Sequence, residues 1–285
     1  MRGAFVVAEW SMSFYKRCQA AWAESSSLLC VGLDPEPGRL PLPLQATPKQ
    51  EGVLQFCKGI IDATAPFACA FKPQIAHFAA QSAEPALLEL CRYVRAQYPG
   101  KLIILDAKRG DIGSTAKHYV TEAFERYGAD AVTLSPYMGQ DSIAPFLADP
   151  NKGVFLLCRT SNAGGADLQD LPLANGRKVY EEIAHLASAA WNGAENLGLV
   201  VGATVPSDLA AIRVHAPSLP LLIPGIGAQG GDLAATLKAG LTPAGGVFIN
   251  ASRSIIYASE GDDWLTAAAS SAQGLRDAIQ TERQR

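Results

Sequence analysis

The sequence predicts an α/β fold of the (β/α)8 class, the TIM barrel, on three observations. Eight short runs rich in apolar and β-branched residues recur along the 285 residues. Helix-like stretches lie between most of them. No glycine fingerprint of the dinucleotide-binding kind follows the first run, and no break in composition marks a second domain. Eight strand–helix units in roughly 250 residues suit a closed parallel barrel, whereas a doubly wound sheet does not need eight equivalent units. The expected organisation is therefore one barrel domain over residues 1–285.

The elements follow in order. MRGAFVVAEW (1–10) carries an apolar patch ended by Glu9, too short for a signal peptide. Met12 is an alternative start, which would make residues 1–11 a non-native extension. LLCVGLD (28–34) reads as the first strand, and the stiff, proline-rich PEPGRLPLPLQATP (35–48) as a long loop after it rather than a domain linker. CAFKPQ (69–74) is the second strand, with a helix over 85–97. KLIILDAK (101–108) is the third, with a helix over 114–127, and AVTLSPY (131–137) and VFLLCRTS (154–161) are the fourth and fifth. KVYEEIAHLASAAWNGAEN (178–196) repeats apolar residues at helical spacing and predicts a helix over its whole length. GLVVGAT (198–204), LPLLIPGIG (219–227) and GGVFINASR (245–253) complete the eight.

Bulk properties exclude several function classes. The formal net charge is -3 and no basic run occurs, so no bulk field draws nucleic acid or an anionic membrane. No apolar stretch approaches the ~18 residues of a membrane span. A small anionic substrate stays open, because a local cluster can oppose the global sign. The six cysteines, at 18, 30, 57, 69, 91 and 158, form no C-x-x-C pair. They are expected to be reduced thiols packed as small hydrophobes in a cytoplasmic protein. The histidines at 77, 118, 185 and 215 are scattered without metal-ligand spacing, so a metal-free reaction is expected.

In a barrel, chemistry sits at the C-terminal ends of the strands. Five strands end in residues that a plain core would not choose: Asp34; Lys72; Asp106 with Lys108; Arg159, Thr160 and Ser161; and Arg253. Asp106 and Lys108 are two apart, so on a regular strand both face one side. Taken alone, that pair serves equally as a buried ion pair fixing register. Asp111 taken alone reads as the N-cap of a helix starting near Ile112. Lys72 alone could snorkel, and Asp34 before Pro35 could open a turn. Together, the charged strand ends point to a site. PGIGAQGGD (224–232) holds four glycines in nine residues. Its backbone N–H groups, with Gln229, Gly230 and the neighbouring Arg253, suit a phosphate between strands seven and eight.

These residues identify a resemblance. VGLDP, FKPQIAHF, LDAKRGDIGSTA, SPYMGQDS, RTSNAGGADLQ, PGIGAQGGD and NASRSIIYA, spread from residue 31 to 258, resemble the orotidine 5′-phosphate decarboxylases. The nearer likeness is to the long-chain bacterial subgroup, type 2. D-x-K-x-x-D alone is shared with barrels that decarboxylate or condense sugar phosphates, but its combination with VGLDP and PGIGAQGGD is specific. The resemblance implies catalytic Lys72, Asp106, Lys108 and Asp111, with Asp111, Ile112 and Thr115 crossing from the partner subunit of a homodimer. It implies ribose contacts from Asp34 and Lys72, a pyrimidine contact from Ser161, and phosphate contacts from Gln229, Gly230 and Arg253. The implied reaction is cofactor-free conversion of orotidine 5′-monophosphate to UMP and CO2, the last step of de novo pyrimidine nucleotide synthesis, with Lys108 protonating C6. One departure is Ala163, where the family pattern has proline. Two alternatives stand beside this reading. One is a metal-dependent sugar-phosphate decarboxylase or aldolase on the same barrel. The other is a non-catalytic barrel that binds UMP.

Overall fold

The computed structural model describes residues 12–226 and 231–284, so the expectation for residues 1–11 lies outside the described residues. Every strand-like run becomes a strand: β1 Leu29–Leu33, β2 Ala70–Pro73, β3 Leu102–Arg109, β4 Ala131–Leu134, β5 Gly153–Arg159, β6 Leu197–Val201, β7 Leu221–Pro224 and β8 Val247–Ala251. They pair in parallel in sequence order, and Leu29 opposite Ile249 closes β1 onto β8. The helices are α1 Phe14–Ser25, α2 Lys49–Thr64, α3 Ile75–Ala79, α4 Glu84–Gln97, α5 Gly113–Val120, α6 Gln140–Ile143, α7 Ala166–Gln169, α8 Val179–Ala189, α9 Pro206–His215, α10 Leu233–Gly240, α11 Arg253–Ile256 and α12 Trp264–Arg283. The predicted (β/α)8 barrel is the observed fold. No described helix is long and apolar enough to cross a membrane.

The helices form where an apolar stripe can turn onto the strands. In α2 the buried face is Val53, Phe56, Cys57, Ile60, Ile61 and Thr64, the i, i+3, i+4 pattern of an amphipathic helix. Proline stands in the first turn of α4 and of α9, where its missing N–H costs nothing. Asp232 caps α10 by accepting from the Ala235 N–H at 3.1 Å.

The N-terminal end of the barrel is plugged, which leaves the other end for chemistry. α1 lies across it. Phe14 is wholly buried and meets Phe155 edge-to-face at 5.9 Å, and Phe155 meets Phe248 at 5.8 Å. Burying one such ring contributes about 1.5–3 kcal/mol. Gly153 is required there, since a Cβ on it would fall 2.2 Å from the Phe14 ring. Asp130, 1% exposed, accepts from Arg17, from Arg95 at 2.8 Å and from the Ile103 N–H at 2.8 Å. This network ties α1, α4 and β3 beneath the barrel. Arg213 caps β7 and β8 from the same side, donating to the carbonyls of Leu219 at 2.7 Å and Gly246 at 2.9 Å.

Two predicted helices differ from what forms. The helix expected over 114–127 is α5 followed by a wider π turn, Thr121–Arg126, whose Glu122 receives two 2.9 Å bonds from Arg109. The helix expected over 178–196 stops at Ala189. Asn192 accepts from the Leu197 N–H at 2.9 Å, and Asn196 donates to the carbonyls of Asp149 and Lys152 at 3.1 and 3.0 Å. Those local bonds compete with the helix, as asparagine side chains characteristically do. The loop over 35–48 folds into two 3-10 turns, Pro37–Arg39 and Leu42–Leu44. The Glu36 N–H donates to the Tyr257 hydroxyl at 2.6 Å, which pins the loop. All six cysteines are free and buried. Burial pushes the Cys30 thiol up to about 12, so it stays protonated.

Candidate active site

β2, β3 and β4 build the centre of the site. Lys72 and Asp106 are 5% and 8% exposed, and such groups are buried only when paired. The Lys72 Nζ donates to Asp106 Oδ2 at 2.8 Å, and the Lys108 Nζ to Asp106 Oδ1 at 2.6 Å. One carboxylate thus sits between two ammonium groups. Burial by itself pulls the Lys72 ammonium down, but the charge of Asp106, and then of Asp34, more than reverses this and holds it above the ordinary lysine value. Burial pushes Asp106 up; Lys72, then Lys108, outweigh it and hold the carboxyl well below the usual range.

Lys108 reaches Asp106 by a route that strand alternation does not foresee. From Leu105 to Arg109, β3 advances four residues while β4 advances two, Val132 to Leu134. The extra length is a bulge. Within it Lys108 has φ +47°, a left-handed conformation that costs a non-glycine residue about 1–2 kcal/mol. The Thr133 hydroxyl fills the gap in the ladder. It accepts from the Ala107 N–H at 3.0 Å and from the Lys108 N–H at 2.9 Å, and donates to Asp106 Oδ1 at 2.9 Å.

Two lobes of a cavity share Lys72, Asp106 and Pro224 as a common wall. The first lobe is polar and is lined by Asp34, Gly225, Asn250, Ser252 and Arg253. Asp34 Oδ1 and Asn250 Oδ1 are buried there without a hydrogen-bond partner. Buried oxygens of this kind call for donors, which hydroxyls of a ligand can supply. Gly32 lets β8 approach, because a Cβ on it would lie 1.8 Å from Ser252 Oγ. The second lobe is mostly apolar and is lined by Leu157, Val200 and Leu222 together with Lys108, Thr133 and Ser161. Gly202 admits Ser161, whose backbone nitrogen would be 2.9 Å from a Cβ at that glycine. An anion beside Arg253 and a flat ring with polar edges beside Lys108 fit these two linings.

Of the residues singled out in the sequence, Asp34, Lys72, Asp106, Lys108, Ser161 and Arg253 line this one cavity. Gln229 and Gly230 lie outside the described residues. Asp111, Ile112 and Thr115 do not line either lobe. Ile112 is half exposed. The cap reading of Asp111 is corrected: α5 starts at Gly113 with Ile112 as its cap residue, and Asp111 Oδ1 accepts from the adjacent Ile112 N–H at 2.8 Å. Arg159 is also corrected as a strand-end charge of the site. It turns away to pair with Asp208 at 2.8 Å and Asp170 at 3.0 Å. Gln169 accepts from the Thr160 N–H at 2.9 Å, so the segment after β5 is stapled at both ends. Thr133 and Asn250 escaped sequence reading. Each is a lone polar residue in an apolar strand, AVTL and VFINA, and that is the signal by which they could have been found. Among the described residues no group of three His, Cys, Asp or Glu is placed to hold a metal ion.

A barrel with a lysine–aspartate–lysine array at its C-terminal mouth, in a cavity that Arg253 also lines, defines a class: (β/α)8 enzymes built around a small anionic substrate. The chain belongs to the Orotidine 5'-phosphate decarboxylase / HUMPS family, whose model matches residues 27–267. It is 58% identical to the orotidine 5'-phosphate decarboxylase of Bordetella avium over 274 residues, 95% of this chain and 100% of that one. Against the protein of the same name from Azoarcus sp. the identity is 55% over 273 residues, 95% and 100% of the two chains. Among solved structures it resembles Leishmania donovani OMP decarboxylase, with TM-score 0.82 and 41% identity over 96% of this chain and 100% of that one. It also resembles Leishmania donovani UMP synthase, with TM-score 0.84 and 42% identity over 95% of this chain and 57% of that one.

Proposed function

We propose that this chain, acting as one barrel domain, converts orotidine 5′-monophosphate to UMP and CO2 as a carboxy-lyase of cytoplasmic pyrimidine synthesis. The observation that carries the reading is the contact of Lys72 and Lys108 with one buried carboxylate, at 2.8 and 2.6 Å, on the wall shared by a polar and an apolar lobe. In the proposed complex the pyrimidine takes the lobe with Ser161. The ribose hydroxyls meet Asp34 and Lys72, and the phosphate meets Arg253 with Gln229 and Gly230. The substrate carboxylate then lies beside Asp106. Cleavage of the C6–CO2 bond leaves its electron pair on C6. The Lys108 ammonium stabilises that charge and gives C6 its proton, and solvent returns a proton to the lysine.

Magnitudes decide which effect dominates. Two like charges ~4 Å apart repel by about 4 kcal/mol at an effective dielectric of 20. The slowest spontaneous reactions need more than ~20 kcal/mol of barrier lowering. Repulsion between Asp106 and the substrate carboxylate is therefore a minor part, and stabilisation of the C6 carbanion by preorganised charge is the major one. Closure of the segment after β5 over the substrate adds to it by excluding water.

We further propose a homodimer in which Asp111, Ile112 and Thr115 of each copy complete the site of the other. The exposure of Ile112 and Thr115, and the position of all three on the segment that follows Lys108, support this. The deciding assay mixes the purified chain with orotidine 5′-monophosphate and EDTA and follows the loss of orotate absorbance. A rapid fall supports the proposal. Activity that appears after a divalent metal is added, and is absent with EDTA, would favour the metal-dependent barrel. UMP binding without turnover would favour a sensor.

Arg253→Ala is expected to lower kcat/KM about ten- to hundredfold, the value of one charge-assisted hydrogen bond to phosphate. Steady-state kinetics checks this, with the loss appearing mainly as a raised KM. An unchanged KM would place the phosphate elsewhere.

A further inference from the structure

We infer that Thr133 is a positioning residue for the reaction, its hydroxyl holding Lys108 in the left-handed backbone conformation that brings the ammonium to Asp106. The inference rests on the decarboxylase reading above. A hydroxyl has one proton and two lone pairs. Both lone pairs of Thr133 are taken, by the N–H groups of Ala107 at 3.0 Å and Lys108 at 2.9 Å. Its proton is thereby directed at Asp106 Oδ1, 2.9 Å away. That same oxygen receives the Lys108 Nζ at 2.6 Å. One buried side chain therefore fixes both ends of the Lys108–Asp106 pair, the backbone of one and the carboxylate of the other.

The arrangement follows from the bulge. In a regular strand the N–H groups of Ala107 and Lys108 would point to opposite sides of β3. Here the partner strand supplies two residues against four, so its carbonyls cannot serve both. The Thr133 hydroxyl takes the place of the missing acceptor. Thr133 is 1% exposed, and in the isosteric Thr133→Val a methyl fills the space of the hydroxyl, so water cannot take its place in turn. Its branched Cβ restricts χ1, which keeps the oxygen where the two amides converge. Without the hydroxyl, two buried N–H groups lose their acceptor and the strained φ at Lys108 loses its support. Relaxation of that one torsion moves the ammonium away from Asp106. Deletion of the hydroxyl therefore acts on the chemical step, and not on the grip at the distant Arg253.

The test compares Thr133→Val, Thr133→Ala and Thr133→Ser in the full chain. Each is measured for kcat, KM, UMP affinity and thermal unfolding beside the unsubstituted protein. A misplacement on the order of 1 Å costs roughly a hundredfold in rate. Thr133→Val is expected to lose about that much in kcat, with KM and UMP affinity nearly unchanged, and Thr133→Ser to recover most of it. If the valine variant does not fold, the serine and alanine pair decides, because serine keeps the hydroxyl and alanine does not. A valine variant that keeps wild-type kcat would overturn the inference. Equal losses in the serine and alanine variants would also overturn it, since they would trace the effect to packing of the methyl group. An unsubstituted protein that fails to turn over orotidine 5′-monophosphate would remove the decarboxylase reading, and this inference with it.

Discussion

Lys108→Ala is expected to abolish turnover, lowering kcat by more than about 10⁴-fold, while leaving the protein folded. Proton donation by a placed side chain is worth roughly 10²–10⁴-fold, and a charge aimed at a developing anion about 10²–10³-fold more. Lys108 is proposed to supply both. The fold survives because the side chain is 47% exposed and gives up one partner, Asp106, which keeps Lys72 at 2.8 Å. A half-exposed pair of this kind is worth about 0–1 kcal/mol to stability. The left-handed backbone at this position is borne by a non-glycine residue before and after the change, so it adds no new strain. Turnover of orotidine 5′-monophosphate, thermal unfolding and UMP binding on one preparation check the result. A variant that still binds UMP, unfolds at the ordinary temperature and turns over near the wild-type rate would take Lys108 out of the mechanism.

The same strand shows how far the sequence could be read. Alternation put Asp106 and Lys108 on one side, and the two do meet, at 2.6 Å. The means by which they meet were not legible. The bulge depends on a hydroxyl from β4, a long-range partner that no periodicity within KLIILDAK encodes. Strand positions were legible because barrel strands buried on both faces appear as continuous apolar runs. Helix ends were less so. In 178–196 the apolar spacing runs on past Ala189, while Asn192 and Asn196 are drawn to carbonyls and amides at the bottom of the barrel. Arg159 shows the reverse failure. A cation at a strand end suggested the cavity, yet Asp170 and Asp208, 11 and 49 residues away in sequence, claim it. What local pattern supplies is the side of a strand. What it omits is which distant carboxylate or hydroxyl is waiting there.

Asp106→Asn is expected to lower kcat by about 10³-fold or more, by loss of preorganised charge, and to give the reaction a pH dependence that the unsubstituted protein lacks. In the native array the Asp106 carboxyl is held below its ordinary value and the Lys72 ammonium above its own. The contribution of Asp106 to stability is then complete above the ordinary carboxylate value, ~4, and is lost as pH falls through the depressed one. The contribution of Lys72 is complete below the ordinary lysine value, ~10.5, and is lost as pH rises through the raised one. Neither group titrates between about pH 5 and 9, so the Asp106–Lys72 pair gives kcat no pH dependence across that window. An asparagine has nearly the same shape, but its amide NH2 must face an ammonium, and it carries no charge to offset the burial of Lys72. With the larger of its two negative neighbours gone, burial pulls the Lys72 ammonium down, and proton loss from it enters the working range from the alkaline side. The variant should also lose about 3–5 kcal/mol of stability, the usual result of stranding one member of a buried pair. kcat measured from pH 5 to 9 for both proteins checks the expectation. A variant with full activity, or with a profile as flat as the wild type's, would mean that the shape of residue 106 matters and its charge does not. A falling alkaline limb found in the variant and absent from the wild type would tie catalysis to the charge between the two lysines, because geometry alone has no pH dependence.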